Sequence, residues 1–172
     1  MPQMGNPADG LRAATLTYFG LEKVWTTGLA VAGICALILA ISLWLSKGAY
    51  RGSAIPLALL GLFEIGIGAG VALRTDRQVH DLVAQVDSGE DMTVERDRMV
   101  KVMRTFEVVK IAEIVLITVG VVMTYAFRDR PMAFSAGVAL IAQCGALLVF
   151  DLVAEQRAGV YASALDEHTS GS

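Results

Sequence analysis

Residues Ala54–Leu73 read AIPLALLGLFEIGIGAGVAL, an apolar run whose only ionisable side chain is Glu64. About 20 mostly apolar residues are enough for a helix to cross the hydrocarbon core of a bilayer, which is about 30 Å thick. A charged side chain near the middle of such a helix costs about 2.5 to 3.5 kcal/mol on insertion scales. The run therefore predicts a membrane-spanning helix in which Glu64 faces other helices rather than lipid.

The whole chain has the composition of a membrane protein with several crossings. Of its 172 residues, 55% are hydrophobic and 18% are charged, which is too apolar for an ordinary soluble domain. The net charge of −3 with mixed signs gives no basic stripe, so nucleic acid is excluded as a partner. We predict one all-α domain, a four-helix bundle in a lipid bilayer. Its crossings are Gly28–Leu45, Ala54–Leu73, Ile111–Phe127 and Met132–Val153.

The connections between these crossings differ in kind. SKGAYRGS at 46–53 and RDRP at 128–131 are short, so they predict two antiparallel hairpins. The connection at 74–106 is long and repeats apolar residues at helical spacing on both sides of the turn DSGED, with Gly89 as the helix breaker and Thr93 as the candidate N-cap. The second and third crossings are therefore predicted to extend as a two-helix antiparallel stalk that projects roughly 20 Å from the membrane.

The chain ends are predicted to lie outside the bundle. Residues 1–23 are assigned to a tail and a short interfacial helix. We expect helix to start after Gly10 and to run into the first crossing, with Tyr18, Phe19 and Trp25 spaced as interfacial aromatics are, and the alternative is a short surface-lying amphipathic helix. The membrane domain with its stalk is assigned to 24–157, and 158–172 to a polar tail.

Basic residues near the crossings predict the orientation. Lys and Arg are more numerous at the side that holds both termini and the stalk than beside the two short loops. The positive-inside rule then predicts a multi-pass protein of the plasma (inner) membrane with both termini and the stalk in the cytoplasm.

Polar residues inside the crossings form the candidate site. Measured from the short loops at helical rise, Glu64, Glu113 and Gln143 all lie at a depth of about 20 to 22 Å. Lys110 lies deeper, at about 27 Å, and its long side chain could balance Glu64 or Glu113 and leave one carboxyl protonated. We predict that these four residues bind a proton, an ion or a small ligand. The alternative is that Glu64 is a paired structural group that holds the helices in register.

A second polar layer is predicted near the stalk. Asp151 and Glu107 lie at a depth of about 31 Å, and Arg74 at about 34 Å. Glu155 stands one turn beyond Asp151 on the same helix. The mixed signs predict an interfacial charge network at this depth.

Glycines predict helix packing on two faces of the second crossing. Gly61 and Gly68 flank Glu64 on one face, where a neighbouring backbone can come close. Gly66 and Gly70 form a separate GxxxG face, which predicts self-association into a homo-oligomer.

Three function classes remain open from sequence alone. The chain lacks HExxH, CxxC and Walker motifs, has only His80 and His168, and predicts no cofactor, no metal and no catalytic residue. Cys35 and Cys144 lie alone in apolar runs and predict packing. We favour proton, cation or small-ligand binding or passage, because intramembrane acids mark such pathways. The alternatives are a non-catalytic accessory subunit that docks a partner protein through Met92, Met99 and Met103 of the stalk, and a carboxylate–metal membrane enzyme.

Overall fold

The structure, a computed structural model, describes residues 7–46, 48–88 and 90–171, and the side chains of all of these except 7–9, 76, 170 and 171. That part of the chain contains four long helices, one short 3₁₀ helix and no strand, which confirms the all-α prediction. The helices are α1 (Pro7–Leu45), α2 (Ala54–Ser88), α3 (Thr93–Ala126) and α4 (Pro131–Gly171), and the 3₁₀ helix is Ala49–Ser53.

Three of these helices are long and apolar enough to cross a membrane by length and composition: α1, α2 and α4. Helix α3, which contains the predicted crossing Ile111–Phe127, is not among them. Its apolar stretch is less apolar than the others because it contains Glu113 and begins beside Lys110. Many large apolar side chains point outward on all four helices, as they do in proteins whose surroundings are lipid. These features fit a membrane protein.

The helices are joined as two hairpins. Helix α1 contacts chiefly α2, helix α3 contacts chiefly α4, and α4 also contacts α1, α2 and the 3₁₀ helix. The two short connections lie at one end of the molecule, here called the loop end, where Ser53 Oγ donates to the Ser135 carbonyl at 2.8 Å. Pro131 begins α4, a position where its missing N–H removes no helical hydrogen bond.

Backbone contact at glycines holds each hairpin together. A Cβ on Gly61 would lie 2.8 Å from the Gly33 carbonyl oxygen, and one on Gly68 would lie 2.5 Å from that of Thr26. In the other hairpin, a Cβ on Gly120 would lie 2.9 Å from the Gly137 carbonyl oxygen. Apolar side chains gain little from leaving lipid for a helix interface, so this close approach supplies much of the packing energy.

The opposite, or distal, end has a core built from all four helices. Tyr18 of α1 stacks on Tyr161 of α4 with ring centroids 4.8 Å apart, and Phe19 meets Tyr161 edge-on at 5.7 Å. The buried members of this distal core are Leu11, Tyr18, Phe19, Leu82, Val86, Met92, Met99, Ala158, Tyr161 and Leu165. Such a core is typical of the water-exposed part of a protein, where apolar side chains gain from leaving solvent.

The distal core corrects the prediction of a two-helix stalk. Helix α2 continues to Ser88 and α3 begins at Thr93, and the predicted breaker Gly89 lies outside the described residues. In the described part of the chain, however, no Cα of α2 lies within 8 Å of a Cα of α3. Helices α1 and α4 supply the missing partners, so four helices rather than two fill this end.

Both chain ends contribute helix to this end of the molecule. Helix α1 runs unbroken from Pro7 to Leu45, as expected if the segment after Gly10 continues into the first crossing. Helix α4 runs to Gly171, so residues 158–171 of the segment assigned to a polar tail are helical. Three residues of this segment recur at helical spacing and are buried: Ala158, Tyr161 and Leu165. The polar residues between them make this spacing difficult to recognise in the sequence. Tyr18 and Phe19 are buried too, so the surrounding helices cover both aromatic side chains.

The stalk methionines are also placed differently than predicted. Met92 is 2% exposed and Met99 is 1% exposed, and Met103 packs against the same distal core. A partner protein cannot reach Met92 or Met99 from outside. Of the three methionines named for docking, Met103 alone is partly accessible.

The start of α3 is held by Asp91 rather than by the predicted cap. Thr93 is the first residue of the helix, and its N–H and hydroxyl donate to the two Asp91 carboxylate oxygens at 2.9 Å and 2.8 Å. Both hydrogen bonds lower the pKa of the Asp91 carboxyl below its usual value, and the bond from the Thr93 backbone N–H has the larger effect.

We expect the packed glycines to tolerate no side chain. Gly68→Ala should lower the free energy of unfolding by about 1 to 3 kcal/mol, because the added methyl group overlaps the α1 backbone. Gly28→Ala is the matched control, since a Cβ there meets nothing within 4 Å. Thermal melting in detergent, followed by helical circular dichroism, measures both. Equal melting temperatures for the two variants would contradict the packing described here.

Candidate functional site

Glu64 lies in the interior of the helix bundle. Its side chain is 2% exposed, and Gln143 of α4 donates from Nε2 to Glu64 Oε1. This contact confirms that the two residues share one layer. The other carboxylate oxygen, Oε2, is buried and has no hydrogen-bond partner in the described part of the chain.

A cavity of about 290 Å³ adjoins this pair between α1, α2 and α4. Glu64 and Gln143 are its polar lining, and Cys35 of α1 also lines it. The remaining lining residues are apolar: Leu29, Ala32, Ala36, Leu39, Leu57, Ala146, Leu147 and Phe150. The cavity is thus a mostly apolar space that ends on a buried carboxyl group.

Glu113 is the second buried carboxyl group, and its side chain is 6% exposed. It is hydrogen-bonded to the carboxyl group of Asp151 on α4, and its Oε2 is buried without a partner among the described residues. A hydrogen bond between two carboxyl groups requires a proton on one of them, because ionised carboxylates only accept. Two carboxyl groups this close in apolar surroundings favour one shared proton over two negative charges.

Lys110 pairs with Glu155 and not with the predicted partners. Its Nζ lies 2.7 Å from both Glu155 carboxylate oxygens. The two side chains are 25% and 21% exposed, so solvent partly screens the attraction between their charges. The prediction that Lys110 balances Glu64 or Glu113 is wrong.

The direction of the side chains explains these contacts. Side chains on a helix lean toward its N-terminus. Helix α3 starts at the distal end and α4 starts at the loop end, so Glu113 and Asp151 lean toward each other. Counted along the helix axes at helical rise, the depths of Glu113 and Asp151 differ by about 9 Å. The opposite lean of the two side chains closes that distance. The same reasoning brings Lys110 to Glu155.

The second polar layer is only partly a charge network. Asp151 and Glu155 have the partners just described, whereas the side chain of Glu107 is exposed. Arg74 lines a groove of about 530 Å³ between α2 and α3. The four residues of this predicted layer therefore do not form one network.

Cys144 interacts electrostatically with both buried glutamates, which its sequence context did not indicate. Its thiol is fully buried. The signal available in the sequence was position: Cys144 is adjacent to Gln143, and two helical turns separate it from Asp151. The pair at Glu64 and the pair at Glu113 are thus neighbours within one polar core.

A separate polar cluster lies near the distal core. Glu95 is 6% exposed and accepts two hydrogen bonds from Arg98, at 2.7 Å and 2.6 Å. Tyr161 also donates to it, at 3.3 Å. Burial alone lowers the pKa of Arg98, but the hydrogen bonds and charge of Glu95 outweigh burial and raise it. This cluster is fully paired, which is typical of a structural role.

The glycine predictions concern two faces of α2. Gly61 and Gly68 lie against α1, as described above. A Cβ on Gly66 or Gly70 would meet nothing within 4 Å, so this second face is open in the single chain.

Comparison with known proteins gives no further guide. No protein-family model, curated protein or solved structure matches the chain. Among the residues that the structure describes, no group of three or more His, Cys, Asp and Glu side chains is placed to hold a metal ion. What this chain does must be inferred from the polar core itself.

The ion pair between Lys110 and Glu155 should couple the two helices measurably. In a double-mutant cycle with Lys110→Met and Glu155→Met, we expect a coupling energy of about 1 kcal/mol or more, because truncating either partner leaves a partly buried charge unpaired. The matched control is the exposed pair of Arg12 and Asp87, whose side chains are 50% and 55% exposed and should couple more weakly. Melting in detergent provides the free energies. A zero coupling energy for Lys110 and Glu155 would contradict the contact.

Proposed function

We propose that the protein is an integral membrane protein with four crossings whose polar core binds protons and passes them across the membrane. The observation that carries the proposal is the hydrogen-bonded carboxyl pair of Glu113 and Asp151, with Glu64 buried close by. Acidic side chains within membrane helices commonly mark proton or ion pathways.

Packing supports a membrane crossing by α3 as well as by the three more apolar helices. Gly120 of α3 lies against Gly137 of α4 in close backbone contact, so α3 runs beside a helix that is apolar enough to cross. Its outward side chains between 111 and 127 are mostly large and apolar: Ile111, Ile114, Val115, Leu116, Val119, Val121, Val122, Tyr125 and Phe127. Lys110 and Glu113 face α4 and need not meet lipid.

The proposed location is the plasma (inner) membrane, with both termini and the distal end in the cytoplasm. The distal core supports placing that end in water, since aromatic side chains from α1 and α4 bury each other there. Lys and Arg are more frequent at this end, as the positive-inside rule requires for the cytoplasmic side.

A proton fits the polar core better than a metal cation does. A metal ion of the magnesium or calcium type takes six or more oxygen ligands, and the described carboxyl groups are instead divided between two separate pairs. We propose that Glu113 and Asp151 share one proton, and Cys144 interacts electrostatically with both Glu113 and Glu64. We propose that these groups are the stations between which protons move.

The other two function classes have less support. The accessory-subunit alternative named three methionines for docking, of which Met92 and Met99 are buried. The carboxylate–metal alternative relied on a cluster of ligands that the described residues do not form.

We further propose that the protein works as a homo-oligomer. Four helices leave little room for a water-filled pathway within one chain, so a second copy is expected to complete it. Gly66 and Gly70 lie exposed on the outer face of α2, where a second helix can approach closely.

Removing the ionisable carboxyl groups should stop proton movement without unfolding the protein. Glu113→Gln with Asp151→Asn keeps size and hydrogen bonding and removes the titratable proton. We expect proton flux into proteoliposomes to fall by about 100-fold, the lower end of what a positioned proton-transfer group contributes. Glu64→Gln should lower flux as well.

Glu107→Gln is the matched control for that experiment, because Glu107 is a glutamate on the same helix as Glu113 but its side chain is exposed. It should leave the flux unchanged. A pH-sensitive dye inside the vesicles reports flux, and melting in detergent reports folding. If the parent protein moves no protons, or if folded Glu113→Gln with Asp151→Asn moves them as fast as the parent, the proposal fails.

The oligomer should depend on the open glycine face. Gly66→Leu with Gly70→Leu blocks close approach of a second helix and should weaken association by about tenfold, which corresponds to about 1.4 kcal/mol. Gly28→Leu with Gly145→Leu is the control, since a Cβ at either position meets nothing within 4 Å and neither belongs to that face. Chemical crosslinking in liposomes over a range of lipid dilutions measures the change. A protein that is monomeric at every dilution would rule out this interface.

A further inference from the structure

Glu64 forms part of the cavity wall and carries an unmatched polar atom. Its Oε2 is buried and has no hydrogen-bond partner among the described residues, and the rest of the cavity wall is apolar apart from Gln143 and Cys35. In the described chain no Lys, Arg or His nitrogen lies within ion-pair distance of Glu64, and the nearest lysine in the polar core, Lys110, is held by Glu155. A buried carboxylate without a counter-charge is costly, so the site favours a ligand that brings one.

The hydrogen-bonding groups define what that ligand must offer. Gln143 donates its N–H to Glu64, which leaves its carbonyl oxygen as an acceptor. Glu64 Oε2 is a second acceptor when the carboxyl is ionised. A primary ammonium group has three N–H donors and one positive charge, so it satisfies both acceptors and supplies the counter-charge.

The walls and the volume define the rest of the ligand. They are formed by leucine, alanine and phenylalanine side chains, which favour an apolar body. The volume of about 290 Å³ is at the small end of ligand cavities, which range from about 300 to 1,000 Å³. Leu39 is 49% exposed, so the cavity is bordered by the outer surface of α1, which faces lipid if α1 crosses the membrane.

We propose that this cavity is a binding site for small lipophilic primary amines in their ammonium form, with Glu64 as counter-ion and Gln143 as second hydrogen-bond acceptor. The inference rests on the proposed function in one respect, namely that the surroundings of Glu64 are the membrane interior. When Glu64 is protonated beforehand, binding of the ammonium ion releases that proton to solvent and leaves a carboxylate–ammonium pair. The amine and the proton then compete for one carboxyl group.

Cys35 provides a reporter for occupancy. It is exposed and lines the cavity, whereas Cys144 is buried. In detergent micelles at constant pH, the rate of Cys35 alkylation by N-ethylmaleimide is measured by mass spectrometry with 2-phenylethylamine present or absent. The amine should slow alkylation about tenfold at a concentration ten times its dissociation constant, by mass action. Cys144 serves as the internal reference.

Two comparisons test the role of the charge. 2-Phenylethanol has the same apolar body but no charge and should protect Cys35 weakly. Glu64→Gln should abolish protection by the amine, whereas Glu107→Gln, which removes an exposed carboxyl outside the cavity lining, should preserve it. Equal protection by the alcohol and the amine, full protection in Glu64→Gln, or no protection in the parent protein would each overturn the proposal.

A second variant keeps the test valid if Glu64→Gln does not fold. Ala146 lines the cavity and its side chain is exposed, so Ala146→Leu fills the cavity without disturbing the core. This variant should lose protection by the amine, and retained protection would overturn the proposal. Protection in a parent protein that shows no proton flux would refute the proposed function alone, whereas flux without protection would refute this inference alone.

Discussion

A carboxyl group taken out of water into apolar surroundings must be neutralised, paired or hydrogen-bonded, and the central part of this structure depends on that requirement. Two glutamates are nine-tenths or more buried between helices in the apolar part of the fold. Each is met by a polar residue of α4: Gln143 for Glu64 and Asp151 for Glu113. Helix α4 therefore sits between the other helices as the common partner, and its register relative to them is fixed by these two contacts.

The sequence predicted the elements of this arrangement better than their partners. The apolar runs identified the helices, and the shared depth of Glu64 and Gln143 was confirmed by their hydrogen bond. The partners of Lys110 and Asp151 were not found, because counting residues along the backbone ignores the opposite lean of side chains on antiparallel helices. A count of residues along the chain does not show whether a side chain leans toward the loop end or toward the distal end.

The distal end was misjudged for a different reason. Its apolar residues on α1 and α4 are separated by many polar ones, so the segments read as tails or interfacial helices when each was considered alone. They form a core only because four helices meet there, with Phe19 and Tyr161 in the middle of it. Long-range packing of this kind cannot be read from the periodicity of one segment, whereas the position of Gly61 and Gly68 on one face of α2 did indicate close packing of a neighbouring backbone, which is that of α1.

The division into two tight hairpins bears on how the protein is made. During synthesis α1 and α2 emerge first, and their glycine contacts need nothing from the second half of the chain. Helices α3 and α4 can pair in the same way, with their own acids and Lys110 already matched within the hairpin. Glu64 is the exception, since its partner Gln143 belongs to the later hairpin. The first hairpin is therefore inserted with one carboxyl group that lacks its partner. Insertion is cheapest when that carboxyl group is uncharged. The hydrogen bond to Gln143 then favours docking of the second hairpin.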